Sequence, residues 1–327
     1  MRRRAIPLTT AAILSVLIVT LASACGGSST SKALSSPAKP EKPNLIVGQV
    51  PAEANAALYV AQQRGLFKAH GLHVTMQSIT STSTIIPALL HGSMDIGAGQ
   101  LSTFIGAQAS GVGQFRVLAS GLQLGPNVNE LMALKSSGIT NAGDLKGKTI
   151  AVNATAGNGV LLTDSALSTY NIQPSQVTLV PIAFSDMAAA LQAHRVAAAY
   201  TTQPYVTEME QQAGASVVAD LDQGAAENYM ISGYTVTTAW ADKYPNTAAA
   251  FAAAINQASA LINANPATAQ KAFETYLKVS PAVAKAMAVG TFPTSVSAAK
   301  LQQIANLMLK FKELSSSFNA AALVGKP

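Results

Sequence analysis

The sequence predicts an α/β protein made of two lobes, each with a mainly parallel sheet flanked by helices. Three observations predict this class: strand and helix patterns alternate over residues 45–99, the alternation returns over residues 149–201, and residues 246–315 are mostly helical in pattern. Strands that alternate with helices pair in parallel, because each helix carries the chain back along the sheet in a right-handed crossover. Two such stretches therefore indicate two sheets.

The first alternation is bounded by capping and turn signals. A hydroxyl run at Thr80–Thr84 precedes a helix that runs to His91, and a glycine follows, as helix C termini prefer. Pro87 is tolerated only in the first turn of a helix, so this helix begins near Ser83 or Thr84. The predicted elements are strand 45–50, helix 54–64, strand 73–79, helix 83–91 and strand 94–99.

Hydrophobic periodicity also defines the elements of the second alternation and the C-terminal region. The predicted elements of the second alternation are strand 149–153, helix 159–170, strand 178–181, helix 186–194 and strand 196–201. The predicted C-terminal helices are 247–263, 267–277, 281–289 and 296–315.

The N-terminal residues have the pattern of a secretion signal followed by a tether. Arg2–Arg4 precede an apolar stretch at Ala11–Ala22, and small residues follow it, as signal-peptide cleavage requires. Cys25 comes directly after them, which resembles a bacterial lipobox in which the cysteine is lipidated. We predict a lipoprotein signal peptide at residues 1–24 and a flexible Gly/Ser/Pro-rich tether at residues 25–43. An ordinary secreted protein with a stray cysteine and an uncleaved membrane anchor are the alternatives.

This layout predicts a lipid-anchored protein on the outer face of the cytoplasmic membrane, in the periplasm or at the cell-envelope exterior. One acyl chain anchors a protein only marginally, whereas two or more hold it firmly. No later segment has the roughly 18 uninterrupted apolar residues that a membrane span needs.

Composition excludes several classes of function. The chain has 327 residues, 21 basic and 15 acidic side chains, and one cysteine. Removing the three N-terminal arginines leaves 18 basic residues against 15 acidic ones, a net charge of +3 that is too mild for nucleic-acid binding. A single cysteine excludes an internal disulfide framework and a cysteine-rich metal site. We expect no cofactor, no metal and no nucleic-acid partner.

Two motifs resemble known sites but lack the required context. Ala142–Thr149 fits a loose phosphate-loop pattern, yet it precedes a strand instead of following one, so nucleotide binding is not expected. His70 and His73 are close in sequence, but Gly71 interrupts any helix and no third ligand is near, so we expect surface histidines.

Four sequence stretches carry a family resemblance: Tyr59–Phe67, Gly71–Val74, Ala88–Ile96, and Ser137–Val152 with its DLKGK segment. In this order and spacing, over about residues 44–240, they are similar to periplasmic substrate-binding proteins of the sulfonate, nitrate and thiamine-precursor type, the SsuA/THI5-like class. The resemblance implies a periplasmic-binding-protein type II fold, in which two strands cross between the lobes and the ligand lies between them.

The resemblance also implies domain boundaries and partners. Lobe I would comprise residues 44–122 and 237–327, and lobe II residues 130–232, with hinges near residues 121–131 and 233–237. The implied partners are a small-molecule ligand and an ABC permease in the membrane, and we expect a monomer.

Candidate ligand-binding residues lie at strand-to-helix turns. Open α/β sheets bind ligands beyond the carboxyl ends of their strands, where helix N termini present unpaired N–H groups. Such groups suit a sulfonate, phosphate or carboxylate. The candidates are Gln49, Glu53, Asn55, Ser81, Thr82, Ser83, Gln100, Ser102, Thr103, Thr155, Gly157, Asn158, Gln203 and Tyr205.

Each turn also has a plain structural interpretation. The hydroxyls at residues 80–84 can serve as N-caps, the loop at 154–159 can be a tight turn, and Tyr205 can be packing. In the functional interpretation, the turns contact the ligand, and Glu53 pairs with a ligand amine.

Two main classes of function compete. The first is a non-enzymatic solute receptor of an ABC importer, which we favour, for a small polar or anionic organic solute such as a taurine-like sulfonate, nitrate or a thiamine precursor. The second is an enzyme of pyrimidine synthesis like the fungal THI5-like proteins, although the family implies an iron-linked cysteine-rich motif there and this chain has one cysteine. A ligand-sensing envelope protein has the same sequence pattern as an importer subunit.

Overall fold

The computed structural model describes residues 39–79 and 81–324, so Cys25, the predicted signal peptide and Thr80 lie outside the described residues. The strands of the described part are β1 (Asn44–Gln49), β2 (His73–Ser78), β3 (Ile96–Gln100), β4 (Phe115–Ser120), β5 (Asn129–Leu134), β6 (Thr149–Val152), β7 (Thr178–Pro181), β8 (Ala198–Thr202), β9 (Ala215–Asp220) and β10 (Ser232–Thr237). Its α-helices are α1 (Ala56–Gln63), α2 (Leu66–Ala69), α3 (Ile85–Leu90), α4 (Leu101–Ala109), α5 (Asn158–Ser168), α6 (Phe184–Gln192), α7 (Tyr205–Glu208), α8 (Thr238–Lys243), α9 (Pro245–Ala264), α10 (Ala267–Tyr276), α11 (Pro281–Ala286) and α12 (Ala298–Lys310).

The strands form two sheets with the same topology. Sheet I has the order β2-β1-β3-β10-β4, and sheet II has the order β7-β6-β8-β5-β9. In sheet I only β10 runs antiparallel to its neighbours, and in sheet II only β5 does. The predicted α/β class with two sheets flanked by helices is therefore confirmed. Each sheet is mixed, with four strands that run in one direction and one that runs against them.

Each antiparallel strand is the one that arrives from the other sheet. The chain leaves sheet I after β4 and enters sheet II as β5, and it leaves sheet II after β9 and returns as β10. The connections are residues 121–128 and 221–231. Residues 233–237, predicted as the second hinge, lie within β10 of sheet I. The lobe boundaries given above stay a prediction.

The two connections run side by side. The Gly121 N–H donates to the Ser232 carbonyl at 2.9 Å, and the Ile231 N–H donates to the Leu122 carbonyl at 2.9 Å. The Ser232 hydroxyl also accepts from the Leu122 N–H at 3.0 Å. A Cβ on residue 121 would lie 2.2 Å from the Ser232 hydroxyl oxygen and 3.0 Å from its carbonyl oxygen. Glycine therefore permits the close approach of the two connections.

The last residues of the predicted tether bind the body. The Glu41 carboxylate accepts from the Asn246 N–H at 3.0 Å and from the Thr247 N–H at 2.8 Å, at the N terminus of α9. Lys42 pairs with Asp95, which also accepts from the Trp240 indole N–H at 3.0 Å. The bonds to Glu41 have a clear physical cause, because anions are favoured at helix N termini. Glu41 and Lys42 are therefore bound to the body and do not act as a free spacer.

Helix α12 ends earlier than its apolar pattern predicts. The pattern extends to residue 315, but the helix stops at Lys310 because Lys312 adopts a left-handed conformation with φ 64°. The Lys312 N–H donates to the Leu309 carbonyl and the Glu313 N–H to the Met308 carbonyl, at 3.1 and 2.7 Å. This is the Schellman pattern of a helix C terminus, and it sets the direction in which residue 313 leaves the helix.

Candidate ligand-binding site between the two sheets

Asn158 joins the two sheets through a buried polar network. It begins α5, which packs on β8 of sheet II. Its side-chain oxygen accepts from the Ser102 hydroxyl at 2.9 Å and from the Tyr229 hydroxyl at 3.0 Å, and its amide donates to the Ile231 carbonyl at 3.1 Å. Ser102 belongs to α4, which packs on β3 and β10 of sheet I. The two predicted ligand-binding turns at residues 100–103 and 154–159 therefore meet at Asn158.

Gln100 extends this network along sheet I. Its side-chain oxygen accepts from the Asn158 N–H at 3.4 Å, and its own N–H donates to the Thr82 hydroxyl at 3.3 Å. Thr82 is buried, and a Cβ on Gly99 would lie 2.5 Å from its methyl carbon. Three predicted turns thus converge at Gln100, because the segment before α3 lies against β3 and the start of α5 meets the end of β3.

The start of α5 is also bound by a carboxylate. The Gly157 N–H donates to Glu313 Oε1 at 2.9 Å. Burial raises the pKa of Glu313, the bond from Gly157 opposes this, and the charge of Asp164 adds to it, so that the pKa lies at about 7. Burial also raises the pKa of Asp164 to about 6.

Gln49 and Glu53 form a second polar group, at the end of β1. The Gln49 amide donates to the Tyr59 hydroxyl at 2.7 Å and to the Ser78 hydroxyl at 3.0 Å, while its side-chain oxygen has no partner among the described residues. Glu53 is 1% exposed and accepts from the Gly290 N–H at 3.2 Å through Oε1. Its other oxygen, Oε2, likewise has no partner in the part that the structure describes. Two buried side-chain oxygens, Gln49 Oε1 and Glu53 Oε2, are therefore available to a ligand.

Burial controls the ionisation of Glu53. It raises the pKa of this carboxyl to about 8, against the opposing effect of the Gly290 N–H. At neutral pH the Glu53 carboxyl is mostly protonated. An ammonium group that donates a hydrogen bond to Oε2 would favour the ionised form.

An aromatic pair lies beside Gln49. The rings of Tyr59 and Tyr276 are stacked, with centroids 3.8 Å apart and an interplanar angle of 2°. The Tyr276 hydroxyl donates to the Ala52 carbonyl at 3.1 Å, in the loop that follows β1. Sequence reasoning did not find Tyr276, because it belongs to α10 and is far from this loop along the chain.

The hydroxyl run before α3 mainly serves as a cap. The Ser81 hydroxyl accepts from the Ser83 N–H at 3.3 Å and lies 2.8 Å from the Ser83 hydroxyl. The Thr84 hydroxyl donates to the Ser81 carbonyl at 2.7 Å. Ser81 and Ser83 are exposed, so their hydroxyls face solvent while they cap the turn.

Two predicted residues are used within loops. The Asn55 amide donates to the Val50 carbonyl at 2.6 Å. Gln203 is 2% exposed, donates to the Asn127 carbonyl at 3.0 Å and accepts from the Thr207 hydroxyl at 2.9 Å. Asn55 therefore holds the loop after β1 in place, and Gln203 joins the segment after β8 to the one before β5.

The remaining predicted residues differ in exposure. Tyr205 is half-buried and stacks on Phe184, with ring centroids 5.6 Å apart. Thr103 is half-buried on α4, and Thr155 is exposed in the loop before α5. Of these three, Thr155 presents the most accessible polar group.

Glu130 is a buried acid that sequence reasoning missed. It begins the antiparallel part of sheet II, opposite Thr201 on β8 and Asp220 on β9. Both of its carboxylate oxygens, and the Thr201 hydroxyl, have no hydrogen-bond partner among the described residues. Burial and the charge of Asp220 raise its pKa to about 9, so it is neutral at pH 7.

The part of the chain that the structure describes has neither a metal-ligand cluster nor a membrane-spanning helix. The described residues contain no group of three or more His, Cys, Asp or Glu side chains placed to hold a metal ion. They also contain no helix with the length and apolar character needed to cross a membrane.

Comparison with known proteins decides the family. The sequence model of a protein family described as NMT1/THI5 like matches residues 53–269 of this chain. The chain belongs to the NMT1/THI5-like family. This match begins at Glu53 and includes the start of α5 and Tyr205.

One curated relative of this NMT1/THI5-like chain is the 4-amino-5-hydroxymethyl-2-methylpyrimidine phosphate synthase of Schizosaccharomyces pombe. The two are 28% identical over 123 residues, which is 38% of this chain. The match spans only 34% of the length of that relative.

Solved structures share the fold of this family member. The periplasmic aliphatic sulphonate binding protein SsuA from Escherichia coli is similar with a TM-score of 0.72 and 20% identity, covering 87% of this chain and 92% of that one. The periplasmic nitrate-binding protein NrtA from Synechocystis PCC 6803 has a TM-score of 0.72 and 14% identity, covering 88% and 86%. At these identities the likeness establishes the fold alone, and it confirms the predicted two-lobed periplasmic-binding-protein fold.

Proposed function

We propose that this protein is an extracytoplasmic solute-binding lipoprotein of an ABC importer, which captures a small polar or anionic organic solute between its two lobes. The observation that carries this proposal is the convergence of Gln100, Ser102 and Asn158 across the two sheets. Polar groups that belong to two different sheets meet there, and a solute placed between them would contact both lobes.

Closure would follow from differential binding. A solute that contacts both lobes binds the closed arrangement more tightly than the open one and shifts the population towards it. The permease would recognise the closed form. Micromolar affinity, about −8 kcal/mol, is a reasonable expectation for such a receptor.

The candidate residues favour recognition by neutral groups. They are serine, threonine, asparagine, glutamine, glycine and tyrosine together with Glu53, and they include no lysine or arginine. Hydroxyls, amides and backbone N–H groups suit a sulfonate, nitrate or a neutral heteroaromatic ring. A taurine-like solute would also place its amine at Glu53 Oε2, which has no other partner among the described residues.

The lipid anchor would hold the protein near its permease. In this proposal, acyl chains on Cys25 insert into the membrane, and the segment after Cys25 separates the lipid from the body. Because Glu41 and Lys42 bind the body, the spacer ends before residue 41.

A second candidate is an enzyme of pyrimidine synthesis. The match to the Schizosaccharomyces pombe synthase over 123 residues favours it. The single cysteine argues against the cysteine-rich motif that the resemblance implies for that chemistry. Formation of a pyrimidine product by the purified full-length protein would support the enzyme and contradict the receptor.

A thermal-shift screen of the full-length protein in detergent tests the proposal. Taurine, alkanesulfonates, nitrate and aminopyrimidines are added separately, because a solute that binds the native state raises its apparent stability by mass action. We expect at least one class to raise the transition temperature, and Asn158→Ala to reduce that rise. No rise with any solute would contradict the proposal.

A further inference from the structure

Glu313 lies where α12 ends and is held there by the backbone. The left-handed Lys312 and the bond from the Glu313 N–H to the Met308 carbonyl fix the direction of the chain. The side chain of Glu313 is half-buried. From this position its Oε1 accepts the Gly157 N–H at 2.9 Å.

The bond between Glu313 and Gly157 connects the two lobes. Helix α12 packs on α4, a helix of sheet I, and α5 packs on β8 of sheet II. Gly157 directly precedes Asn158, which binds Ser102. Two adjacent residues at the start of α5 are therefore bound by two different parts of the other lobe.

Glu313 also has the chemistry of a ligand for this helix. The first N–H groups of a helix have no intrahelical acceptor and carry partial positive charge, so they favour an anion. A charge-assisted bond of this kind is stronger than one between neutral groups. The Gly157 N–H cannot donate to the anionic group of a solute while it donates to the Glu313 carboxylate.

We propose that Glu313 is an internal ligand of the site: its carboxylate binds the N terminus of α5, holds the two lobes together, and competes with the anionic group of a solute. The competition between Glu313 and a solute rests on the proposed function, whereas the hydrogen bond from Gly157 to Glu313 is independent of it. Glu313 would then be a positioning and specificity residue, because it selects solutes whose anionic group can replace a carboxylate.

The competition depends on pH because Glu313 titrates near neutrality. The titratable groups that face it are Asp164 of α5 and Tyr229, and Lys310 and Lys312 lie on its own segment. Lys310 points to the Ser168 hydroxyl, at 3.4 Å. Below about pH 7 Glu313 becomes neutral and competes less well, whereas above that pH it competes fully.

Nuclear magnetic resonance of the Gly157 amide tests the internal ligand directly. Full-length protein in detergent, with isotope-labelled glycine, is titrated from pH 5 to pH 9 as wild type, Glu313→Gln and Glu210→Gln. The last variant removes the charge of an exposed glutamate in the helical segment Met209–Ala213, between α7 and β9. We expect the Gly157 signal to titrate near pH 7 in the wild type and in Glu210→Gln, and to lose that step in Glu313→Gln. An identical titration in all three proteins would overturn the proposal.

Calorimetry with ethanesulfonate tests the competition. We expect Glu313→Gln to bind this probe about tenfold more tightly than the wild type at pH 8, within the usual range of coupling between sites, and the difference to shrink at pH 6. Equal affinities at both pH values would overturn the competition. If the probe binds no variant at either pH, the proposed function fails for this anion, and the amide titration alone decides the internal ligand. Glu313→Asp, which keeps the charge on a shorter side chain, serves as a second variant. The change of its Gly157 amide signal near pH 7 should be lost as well.

Discussion

The hydroxyl of Ser102 donates a 2.9 Å hydrogen bond to the side-chain oxygen of Asn158, and both residues are 1% exposed. The two residues lie in the first turns of helices that pack on different sheets. Helix α4 follows β3 directly, and α5 follows the loop after β6. Because buried polar groups are costly unless they are bonded, this pair fixes how the two turns face each other.

Asn158→Ala should destabilise the protein. The substitution removes the acceptor of Ser102 and Tyr229 and the donor to Ile231, all in a buried region. Leaving buried polar groups unpaired costs about 1–3 kcal/mol, which denaturant unfolding will measure. Asn306→Ala, at an exposed position of α12, is the control and should change stability by less than about 0.5 kcal/mol. Equal effects of the two substitutions would contradict the network.

Substitutions of residues 81–84 should affect both the stability of the fold and the binding of an anion, to different extents at different positions. Thr82→Ala should cost about 1 kcal/mol, because the buried Thr82 hydroxyl accepts the Gln100 N–H. The double change of Ser81 and Thr82 to alanine should weaken anion binding several-fold but also reduce stability.

Ser83→Ala is the cleaner test of this run, since Ser83 is exposed. It should weaken anion binding with a stability change below about 0.5 kcal/mol, as calorimetry and unfolding will measure. Ser93→Ala is the exposed control. Unchanged affinity in Ser83→Ala and in the double variant would remove this turn from the site.

Glu53→Gln should change the pH dependence of stability. The folded carboxyl keeps its proton up to about pH 8, whereas the unfolded one releases it near pH 4.5. The folded state therefore loses stability as pH rises through this window, by about 1.4 kcal/mol per pH unit for this group. The difference between Glu53→Gln and wild type should grow in favour of the variant from pH 4.5 to pH 8. Parallel curves would show that Glu53 does not titrate in this way.

Glu53→Gln should also weaken the binding of amine-bearing solutes. A protonated amine at Oε2 would be bound by a carboxylate in the wild type and by a neutral amide in the variant. Calorimetry with taurine and ethanesulfonate, which differ in the amine, measures the effect. A similar loss of affinity for both solutes, or for neither, would refute the pairing.

Glu41→Gln should loosen the segment that precedes β1. Desolvation raises the pKa of Glu41, but the bonds from Asn246 and Thr247 outweigh it and lower the pKa to about 2. Its contribution to stability is therefore complete above pH 4.5 and is lost as pH falls towards 2. Hydrogen exchange at the Asn246 and Thr247 amides should be faster in the variant at pH 7. Unchanged exchange would argue against this cap.

Cys25→Ser tests the lipid anchor. The wild-type chain should incorporate labelled fatty acid and sediment with membranes, whereas the variant should incorporate none. Ser28→Ala, three residues further on, should behave as the wild type. Labelling of the Cys25→Ser variant would contradict lipidation at this cysteine.

Local sequence patterns predicted the elements whose bounds depend on neighbouring residues. Strand β7 and the start of α10 match the predicted bounds, because apolar periodicity and turn residues act over a few positions. The carboxyl ends of parallel strands are also a local feature, and this made Gln100, Ser102 and Asn158 candidates. The structure brings the three together, and their contact with a ligand stays a prediction. The same reasoning extended α12 too far, because it did not detect the left-handed Lys312.

Long-range partners could not be predicted from sequence. Glu313 binds a residue 156 positions away, and Tyr276 lies against the β1 loop from a distance of 224 positions. The Gln203 amide donates to the Asn127 carbonyl, 76 positions away, and a ligand contact of Gln203 stays a prediction. Such pairings depend on how the helices pack and leave no local signal.

Isothermal titration calorimetry of the full-length protein with each solute that raises its transition temperature is the most direct test of the proposed receptor. We predict one solute bound per chain, with a micromolar dissociation constant and with weaker binding in Asn158→Ala than in Asn306→Ala. Heats of mixing alone for every solute, or equal affinity in both variants, would contradict binding between the lobes.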